Sequence, residues 1–355
     1  MPRFCIDDIF VNRHPDYFRI PVIAIADDRL LTFANRRLYT ASDNAKESQL
    51  VYRRIPSTAD DPDNIHSIFA VDGWNVPIGT VIVDFCNNCV RLFYHRWMVT
   101  DVMPDDARWE EGHFVAESRD RGKTWSDKKV KLFANTKGCY GHSHGAASGI
   151  ITRSQAAKDR LVVPARFFTM PGESASNLQK NHYNCALFSD DHGQTWHTSE
   201  PVQVGTGEGC LAELSDGRIY YNSRAYFLDG KRRIAWSYDG GETFTDFSVD
   251  EVLTEPINGG CNAGMAIYPP DLSDGNDIIL FSNPAGEQRE RMTIRASFDG
   301  GLTWIAAKII HEGPAAYSSM AVANDGTIYV LFENGDQHPY ERISLASFTL
   351  EWLLN

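Results

Sequence analysis

Short runs of aliphatic, β-branched and aromatic residues recur along the chain. The clearest of them are Leu161–Pro164, Ile219–Tyr221, Ile278–Phe281 and Ile328–Phe332. Runs of this length and composition are typical of buried β-strands. No long stretch shows apolar residues at the 3.6-residue spacing of a helix, so the sequence predicts an all-β protein.

A second pattern, Ser-x-Asp-x-Gly-x-Thr followed by Trp or Phe, occurs four times, beginning at Ser118, Ser189, Ser237 and Ser297. Such a motif matches roughly one window per million at ordinary residue frequencies, so four copies are not chance. Its Ser and Asp side chains bond nearby amides, its Gly takes a left-handed conformation and its aromatic residue packs beneath, which predicts a β-hairpin turn. Because these side chains bond their own turn, we interpret the copies as scaffold rather than as calcium or sugar sites.

The spacing of the copies predicts the architecture. The four serines are 71, 48 and 60 residues apart, which suits one four-stranded sheet per repeat with loops of variable length. Dividing the 355 residues by a repeat of about 60 gives about six units. The sequence therefore predicts a six-bladed β-propeller of four-stranded antiparallel blades, in a single catalytic domain spanning residues 1–355.

The charge of the chain restricts its partners. A formal net charge of −13 disfavours nucleic acid and anionic membranes, which the field of the whole protein would repel. The same field opposes an acidic sugar. An anionic ligand therefore requires a local cluster of positive side chains.

Cysteines and apolar segments say less about function. Seven scattered cysteines form no regular disulfide framework, and we expect mostly reduced thiols. The amino terminus lacks a basic segment followed by an apolar one, and no window is apolar enough for a membrane span. We expect a cytoplasmic location by default, or a secreted or periplasmic one if a leader was trimmed. The oligomeric state is not predicted.

Together with Tyr17–Pro21, which reads Tyr-Phe-Arg-Ile-Pro, the four turns make the chain resemble the bacterial-type exo-α-sialidase (neuraminidase) family. The resemblance runs from about Phe18 to Leu353. It implies an Asp-box propeller glycosidase that removes terminal α-linked sialic acid from glycoconjugates. It also implies no metal and no other cofactor.

The resemblance implies a clamp of three arginines around the carboxylate of the sugar. The first corresponds to Arg19, the second to Arg224 and the third to Arg289. Arg291 competes for the third place, and Arg289 is preferred because the family has three residues between this arginine and its Thr-Ile-Arg strand. Guanidinium groups bind a carboxylate through charge-assisted, partly bidentate hydrogen bonds that lysine does not reproduce.

The family's nucleophile is a tyrosine, and Tyr317 matches it. Sialidases are the known exception to hydrolysis by paired carboxylates, because the reacting carbon bears its own carboxylate and would repel an anionic nucleophile. A phenol with a pKa of about 10 needs a base, and Glu208 lies where the family places one. Glu213 is the alternative, disfavoured because strand alternation sends it elsewhere.

Three further residues follow from the resemblance. Asp43 is the implied acid and base, which protonates the leaving oxygen and then deprotonates water. Arg37 matches an arginine that holds a ring hydroxyl. Glu333 matches the carboxylate that orients the first clamp arginine.

The chain departs from the family at Ile78, where many relatives place an aspartate that shares the ring hydroxyl with Arg37. Three nearby acidic residues are candidates to replace this aspartate: Asp60, Asp61 and Asp72. This departure motivates one alternative, a hydrolase of a related ulosonic acid of the Kdn or Kdo type. Two further alternatives, a transglycosidase and a non-catalytic propeller that binds acidic glycans, also stay open.

Two other groups of residues resemble metal sites. Cys86 and Cys89 resemble half a zinc site, but no second pair follows, so hairpin structure is the preferred interpretation. His142, His144 and His182 are interpreted as pocket-wall or structural residues.

Overall fold

The computed structural model describes residues 4–43, 45–56, 64–98, 113–143, 145–173 and 177–355. Regular structure in these ranges is almost entirely β-strand, which confirms the all-β prediction. The exceptions in the same ranges are 3-10 turns at Phe85–Asn87, Gln155–Ala157 and Pro270–Leu272 and a helix at Leu350–Leu354. No described helix is long and apolar enough to cross a membrane.

The strands form six antiparallel blades around a central axis, which confirms the predicted propeller. Blades 1 to 3 consist of Asp16–Ala26, Arg29–Leu38, Ser48–Ile55 and His66–Phe69; of Ile78–Asp84, Cys89–His95, His113–Ser118 and Ser126–Lys129; and of Ile150–Ile151, Leu161–Phe168, His182–Ser189 and Trp196–Thr198. Blade 4 consists of Thr206–Glu213, Ile219–Ala225, Lys231–Ser237 and Thr245–Thr254. Blade 5 consists of Gly264–Tyr268, Ile278–Pro284, Glu290–Ser297 and the first half of Ala306–Val322, and blade 6 of the second half of that strand, Ile328–Asn334, Arg342–Phe348 and Phe4–Val11. Two short pairings lie outside this scheme: Leu132–Phe133 runs parallel to Trp196–Thr198, and Trp74–Asn75 pairs with Trp97–Met98.

The first two strands of a blade are buried on both faces. Cys89–His95 and Ile278–Pro284, for example, contain only buried residues. Stacked blades cover both faces of these strands, so their sequences are continuous apolar runs rather than alternating patterns. The outermost strand Ser126–Lys129 is fully exposed.

The ring is closed by the two ends of the chain. Phe4–Val11 pairs with Arg342–Phe348 and forms the outermost strand of blade 6. The ring of Phe4 also stacks on Trp352 at 4.4 Å between centroids. Pairing between such distant segments joins the last blade to the beginning of the chain.

The four repeated turns join the third and fourth strands of blades 2 to 5 and bond themselves as predicted. In the second copy the Ser189 hydroxyl donates to Asp191 at 2.8 Å and accepts from the amide of Gly193 at 2.8 Å. The Asp191 carboxylate accepts from the amide and the hydroxyl of Thr195, at 2.8 and 2.6 Å. The polar side chains of the motif thus form their hydrogen bonds within the turn.

Each turn also packs against the blade before it. The glycine of the fourth copy, Gly301, has φ +88°, and a Cβ added there would lie 2.8 Å from the ring of Tyr220 in blade 4. The glycines of the other copies meet the second strand of the preceding blade in the same way: Gly122 meets Leu31, Gly193 meets Arg91 and Gly241 meets Val162. The motif therefore locks neighbouring blades together, and its glycine cannot carry a side chain.

The turns lie at one end of the propeller, and the starts of the innermost strands lie at the other. The turn end opens into a cavity of about 550 Å³ lined mostly by aliphatic residues of the innermost strands, among them Ile23, Val81, Met265 and Met320. The opposite end, which we call the site end, carries the residues expected to bind and react with a ligand.

Candidate functional site

Backbone bulges shape the site end. The innermost strands of blades 1, 2, 4 and 6 each lose their regular register near their site ends, between Arg19 and Val22, Ile78 and Val81, Thr206 and Gly209, and Ala315 and Ser318. A bulge adds a residue to one strand and redirects its side chains. Arg19, Glu208 and Tyr317 all lie at these irregularities, so the bulges set the direction of three site residues.

Tyr317, Glu208 and Arg224 form a closed triangle of hydrogen bonds. The Tyr317 hydroxyl donates to Glu208 Oε1 at 2.8 Å, and Arg224 Nη1 donates to Glu208 Oε2 at 2.7 Å. Arg224 Nη1 also lies 3.0 Å from the Tyr317 oxygen. All three lie where blades 4 and 6 meet the axis, and the side chains of Tyr317 and Glu208 are buried.

The triangle fixes the protonation of the phenol. Burial and the negative charge of Glu208 raise the pKa of Tyr317 well above its usual value, against the opposing charges of Arg224 and Arg289. The hydroxyl therefore keeps its proton in this state and presents it to Glu208. Such a phenol becomes a nucleophile only by transferring that proton to the carboxylate.

The three arginines expected to clamp a carboxylate are linked through two tyrosines. Arg224 bonds the Tyr317 hydroxyl, and the Arg289 guanidinium lies 5.4 Å from the Tyr317 ring centroid. Arg289 Nη1 donates to the Tyr340 hydroxyl at 2.6 Å, while the Arg19 guanidinium lies 3.5 Å from the Tyr340 ring centroid. Sequence reasoning missed Tyr340, because its role depends on segments distant in the chain.

Glu333 joins the first arginine to the strand of Tyr317. Its Oε1 accepts from Arg19 Nε at 2.7 Å and from the Ile20 amide at 2.8 Å. Its Oε2 accepts from the Tyr317 amide at 3.1 Å. Burial alone would lower the pKa of Arg19, but the charge and hydrogen bond of Glu333, together with Tyr340 and Asp43, outweigh it and the pKa is raised. Glu333 thus fixes a guanidinium and a backbone segment together.

Arg37 and Asp43 lie at the mouth of the site. Arg37 Nη1 lies 2.8 Å from Asp43 Oδ1 and donates to the Ala41 carbonyl at 2.7 Å, which also accepts from Arg19 at 2.8 Å. Arg37 Nε donates to Asn35. The Asp43 side chain is 82% exposed. An exposed carboxyl beside a buried arginine cluster can reach a leaving group that projects into solvent.

The structure separates the two pairs of alternatives. Glu213 lies at the turn end of the same strand as Glu208 and caps the amides of Arg153 and Ser154. The strand is bulged, so the alternation of side chains is not what separates the two glutamates. They are far apart because they lie at opposite ends of the strand. Arg291 is exposed and lies 3.8 Å from Glu312, whereas Arg289 faces Tyr317.

Ile78 is fully buried in the core cluster that contains Tyr317. Its side chain is therefore packed among core residues and supplies no carboxylate. Asp72 lies in an exposed turn, whereas Asp60 and Asp61 fall outside the described residues. The only carboxylate that the described residues show against Arg37 is Asp43.

Arg166 is a further cation beside Glu208 that the sequence did not reveal. It lies on the second strand of blade 3, with Nη1 3.9 Å from Glu208 Oε1 and 3.3 Å from the hydroxyl of Tyr226. Its guanidinium lies 5.0 Å from the ring centroid of Phe168. An arginine within a strand-like run gave no signal, since surface arginines are common in strands.

Aromatic rings form a wall beside Arg166. The rings of His95 and His113 stack at 4.5 Å, and His95 meets His142 at 5.4 Å. Phe168 continues the wall, since it contacts His142 at 5.0 Å and His182 at 4.3 Å. His142 and His182 are thus wall residues, whereas His144 falls outside the described residues.

The backbone of Ser143 fixes two of these rings. Its amide donates to His113 Nε2 at 3.2 Å, and its carbonyl accepts from His95 Nε2 at 3.0 Å. Burial lowers the pKa of His95 to about 4, and the charge of Arg166 adds to the effect. Burial and Arg166 likewise lower the pKa of His182 to about 4. His95 and His182 are therefore uncharged at neutral pH.

The cysteines take no part in this region as a pair. All seven are free thiols. Cys86 lies within the short turn Phe85–Asn87 of blade 2, and Cys89 begins the strand that follows it.

The site end supplies the positive cluster that an anionic ligand requires. Five arginines lie there with three carboxylates: Arg19, Arg37, Arg166, Arg224 and Arg289 with Asp43, Glu208 and Glu333. Four of these eight residues are buried and three are partly buried, and charges in such surroundings interact more strongly than in bulk water. Local charge therefore overrides the negative field of the whole chain.

Comparison with known proteins identifies relatives of this chain. A family model described as BNR repeat-like domain matches residues 79–330, which include all four repeated turns. A sialidase of Micromonospora viridifaciens is 34% identical over 244 residues, covering 67% of this chain and 35% of that protein. An exo-alpha-sialidase of Aspergillus fumigatus is 28% identical over 380 residues, covering 95% of this chain and 85% of that protein. The chain thus spans about a third of the first relative and most of the second.

Solved structures share the fold. The Hadza microbial sialidase Hz136 superposes with a TM-score of 0.75 at 22% identity, covering 95% of this chain and 66% of that one. The NanB sialidase of Streptococcus pneumoniae superposes with a TM-score of 0.76 at 15% identity, covering 98% and 71%. With more than two thirds of its length in the repeat model and this fold, the chain belongs to the BNR repeat-like domain family, among the bacterial-type sialidase propellers.

Proposed function

We propose that the protein is a retaining exo-α-sialidase that hydrolyses terminal α-linked sialic acid from glycoconjugates. The observation that carries the proposal is the triangle of Tyr317, Glu208 and Arg224, with Arg19 and Arg289 beside it. A site that only binds acidic glycans needs the arginines but no phenol bonded to a buried carboxylate. Relatives named as sialidases support the same assignment.

In the first step the arginines bind the carboxylate of the sugar and place its anomeric carbon over Tyr317. The Tyr317 oxygen bonds to that carbon as its proton passes to Glu208. The bond to the aglycone breaks, and Asp43 protonates the leaving oxygen. Glu208 is suited to this task because its Oε1 already accepts the phenolic proton.

In the second step water replaces the tyrosine. Asp43, now ionised, takes a proton from water as the water oxygen bonds to the anomeric carbon. The bond to Tyr317 breaks, and Glu208 returns the proton to the phenol. Two inversions at one carbon give net retention.

Replacement of Tyr317 by Phe tests the proposal. We expect release of methylumbelliferone from its α-glycoside of N-acetylneuraminic acid to fall on the order of a thousandfold or more. Tyr329→Phe is the control, because Tyr329 is a half-buried tyrosine at the turn end of blade 6, opposite the site. An unchanged rate in Tyr317→Phe would contradict the assignment.

A second candidate is a hydrolase of a related ulosonic acid of the Kdn or Kdo type, acting by the same steps. Buried Ile78, which leaves Arg37 without a second carboxylate among the described residues, favours it. A panel of methylumbelliferyl α-glycosides of N-acetylneuraminic acid, Kdn and Kdo separates the two. A kcat/KM higher for Kdn or Kdo would replace the first candidate. Release of free sugar without transfer to added lactose would exclude a transglycosidase.

A further inference from the structure

Tyr340 lies between two of the three arginines and contacts each through a different part of its side chain. Arg289 Nη1 donates to its hydroxyl oxygen at 2.6 Å. The Arg19 guanidinium lies over its ring face, 3.5 Å from the centroid. The negative face of an aromatic ring attracts a cation. A single tyrosine side chain therefore interacts favourably with two positively charged groups.

A neutral partner suits this position better than a carboxylate. A glutamate between Arg19 and Arg289 would satisfy both guanidinium groups, but its charge would compete with the carboxylate of an incoming sugar. A phenol offers an oxygen acceptor and a π face without adding an anion. Burial raises the pKa of Tyr340 against the opposing charge of Arg289, so the phenol stays neutral.

The backbone of Tyr340 is tied to the strand of Arg19. Asn12 Nδ2 donates to the Tyr340 carbonyl at 2.7 Å, and Asn12 Oδ1 accepts from the amide of Phe18 at 2.6 Å. The Asn12 amide donates to the Glu341 carbonyl at 2.9 Å. One asparagine therefore links the residue before Arg19 to Tyr340.

The loop that carries Tyr340 is also held from within. The Glu341 carboxylate accepts from the amides of Asp336, Gln337 and His338 at 2.8 to 2.9 Å. The ring of His338 contacts the Tyr340 ring at 4.8 Å. A side chain on so constrained a loop loses little freedom when it orients its neighbours.

We propose that Tyr340 is a positioning residue that holds Arg19 and Arg289 in the orientation in which they bind the carboxylate of the substrate. The proposal rests on the function proposed above and adds a specific contributor to it. Since the carboxylate is bound in both the ground state and the transition state, loss of Tyr340 acts mainly on substrate binding.

The test compares Tyr340→Phe and Tyr340→Leu with Tyr329→Phe, which removes a half-buried hydroxyl from the same blade at its turn end. We measure KM and kcat with the methylumbelliferyl α-glycoside, and the dissociation constant of the glycal form of N-acetylneuraminic acid by calorimetry. Tyr340→Phe is expected to raise both KM and this constant about tenfold and to change kcat by less than about threefold. Tyr340→Leu, which also removes the ring beneath Arg19, is expected to have a larger effect, and Tyr329→Phe none.

A double-mutant cycle distinguishes positioning from general structural support. In an Arg289→Met background, Tyr340→Phe is expected to weaken glycal binding by less than about twofold, because methionine has no donor for the bond that Tyr340→Phe removes. Equal losses in both backgrounds, or no loss in either, would overturn the proposal. Wild-type binding of the glycal without turnover would overturn the catalytic function but leave this test intact. Absence of wild-type binding would overturn both.

Discussion

The turn end of the propeller repeats itself, whereas the site end does not. At the turn end the same Ser-Asp-Gly-Thr bonds recur in four blades, and each glycine meets the preceding blade in the same way. At the site end blade 1 supplies Arg19, blade 2 supplies Ile78, blade 4 supplies Glu208 and blade 6 supplies Tyr317. The turn end thus stabilises the packing of neighbouring blades. At the site end, the bulged starts of the innermost strands supply a different side chain from each blade.

Glu208 and Glu213 allow this comparison within one strand, because both are buried and they lie at opposite ends. Glu208→Gln is expected to lower kcat per folded molecule on the order of a thousandfold, since the base for Tyr317 is lost. It is also expected to lower the free energy of unfolding, because Arg224 loses its buried ion-pair partner. Glu213→Gln is expected to lower the free energy of unfolding by about 1 to 3 kcal/mol, since buried amides lose a charged acceptor, while kcat per folded molecule stays unchanged. Steady-state kinetics and urea unfolding measure both; a loss of kcat in Glu213→Gln would break the comparison.

Asp43, at the mouth of the site, is expected to act on the leaving group of the substrate. Asp43→Asn is expected to lower kcat/KM for sialyllactose roughly a hundredfold, because a sugar leaving group needs a proton. The loss for the methylumbelliferyl glycoside is expected to be less than about tenfold, because its leaving group is more acidic. Coupled assays of the two substrates measure this difference. Equal losses would show that Asp43 does not protonate the leaving oxygen.

The histidine wall gives the site end a pH dependence of stability. The pKa of His95 is lowered to about 4 in the folded protein, against an ordinary value of 6.5. As pH falls from 6.5 to about 4, this histidine binds a proton in the unfolded state but not in the folded state. The free energy of unfolding therefore decreases, by up to about 3 kcal/mol. Urea unfolding between pH 7.5 and 4.5 is expected to show a shallower decline for His95→Gln than for wild type, and identical slopes would contradict the assignment.

Much of the fold followed from the sequence because its determinants are local. Each repeated turn carries all the side chains that bond it, so the motif beginning at Ser189 predicts its own geometry. Closure of the ring did not follow, because Phe4–Val11 pairs with a strand more than 300 residues away. Its short exposed pattern gives no sign of its partner.

The site was less accessible to sequence reasoning. The resemblance indicated the clamp arginines together with Glu208 and Tyr317, and the structure brings these residues together at the site end. Tyr340, however, depends on the approach of three distant segments, which no local pattern encodes. Bulges had the same effect, because an extra residue in the strand of Glu208 breaks the alternation on which strand arguments rely.

A covalent intermediate on Tyr317 is the most direct consequence of the proposed two-step mechanism. Incubation with a fluorinated sialyl fluoride, followed by mass spectrometry of the intact protein and of its peptides, measures it. One added sugar per chain is expected on the peptide that contains Tyr317, and none in Tyr317→Phe. Turnover of the methylumbelliferyl glycoside with no adduct, or an adduct on another residue, would contradict it.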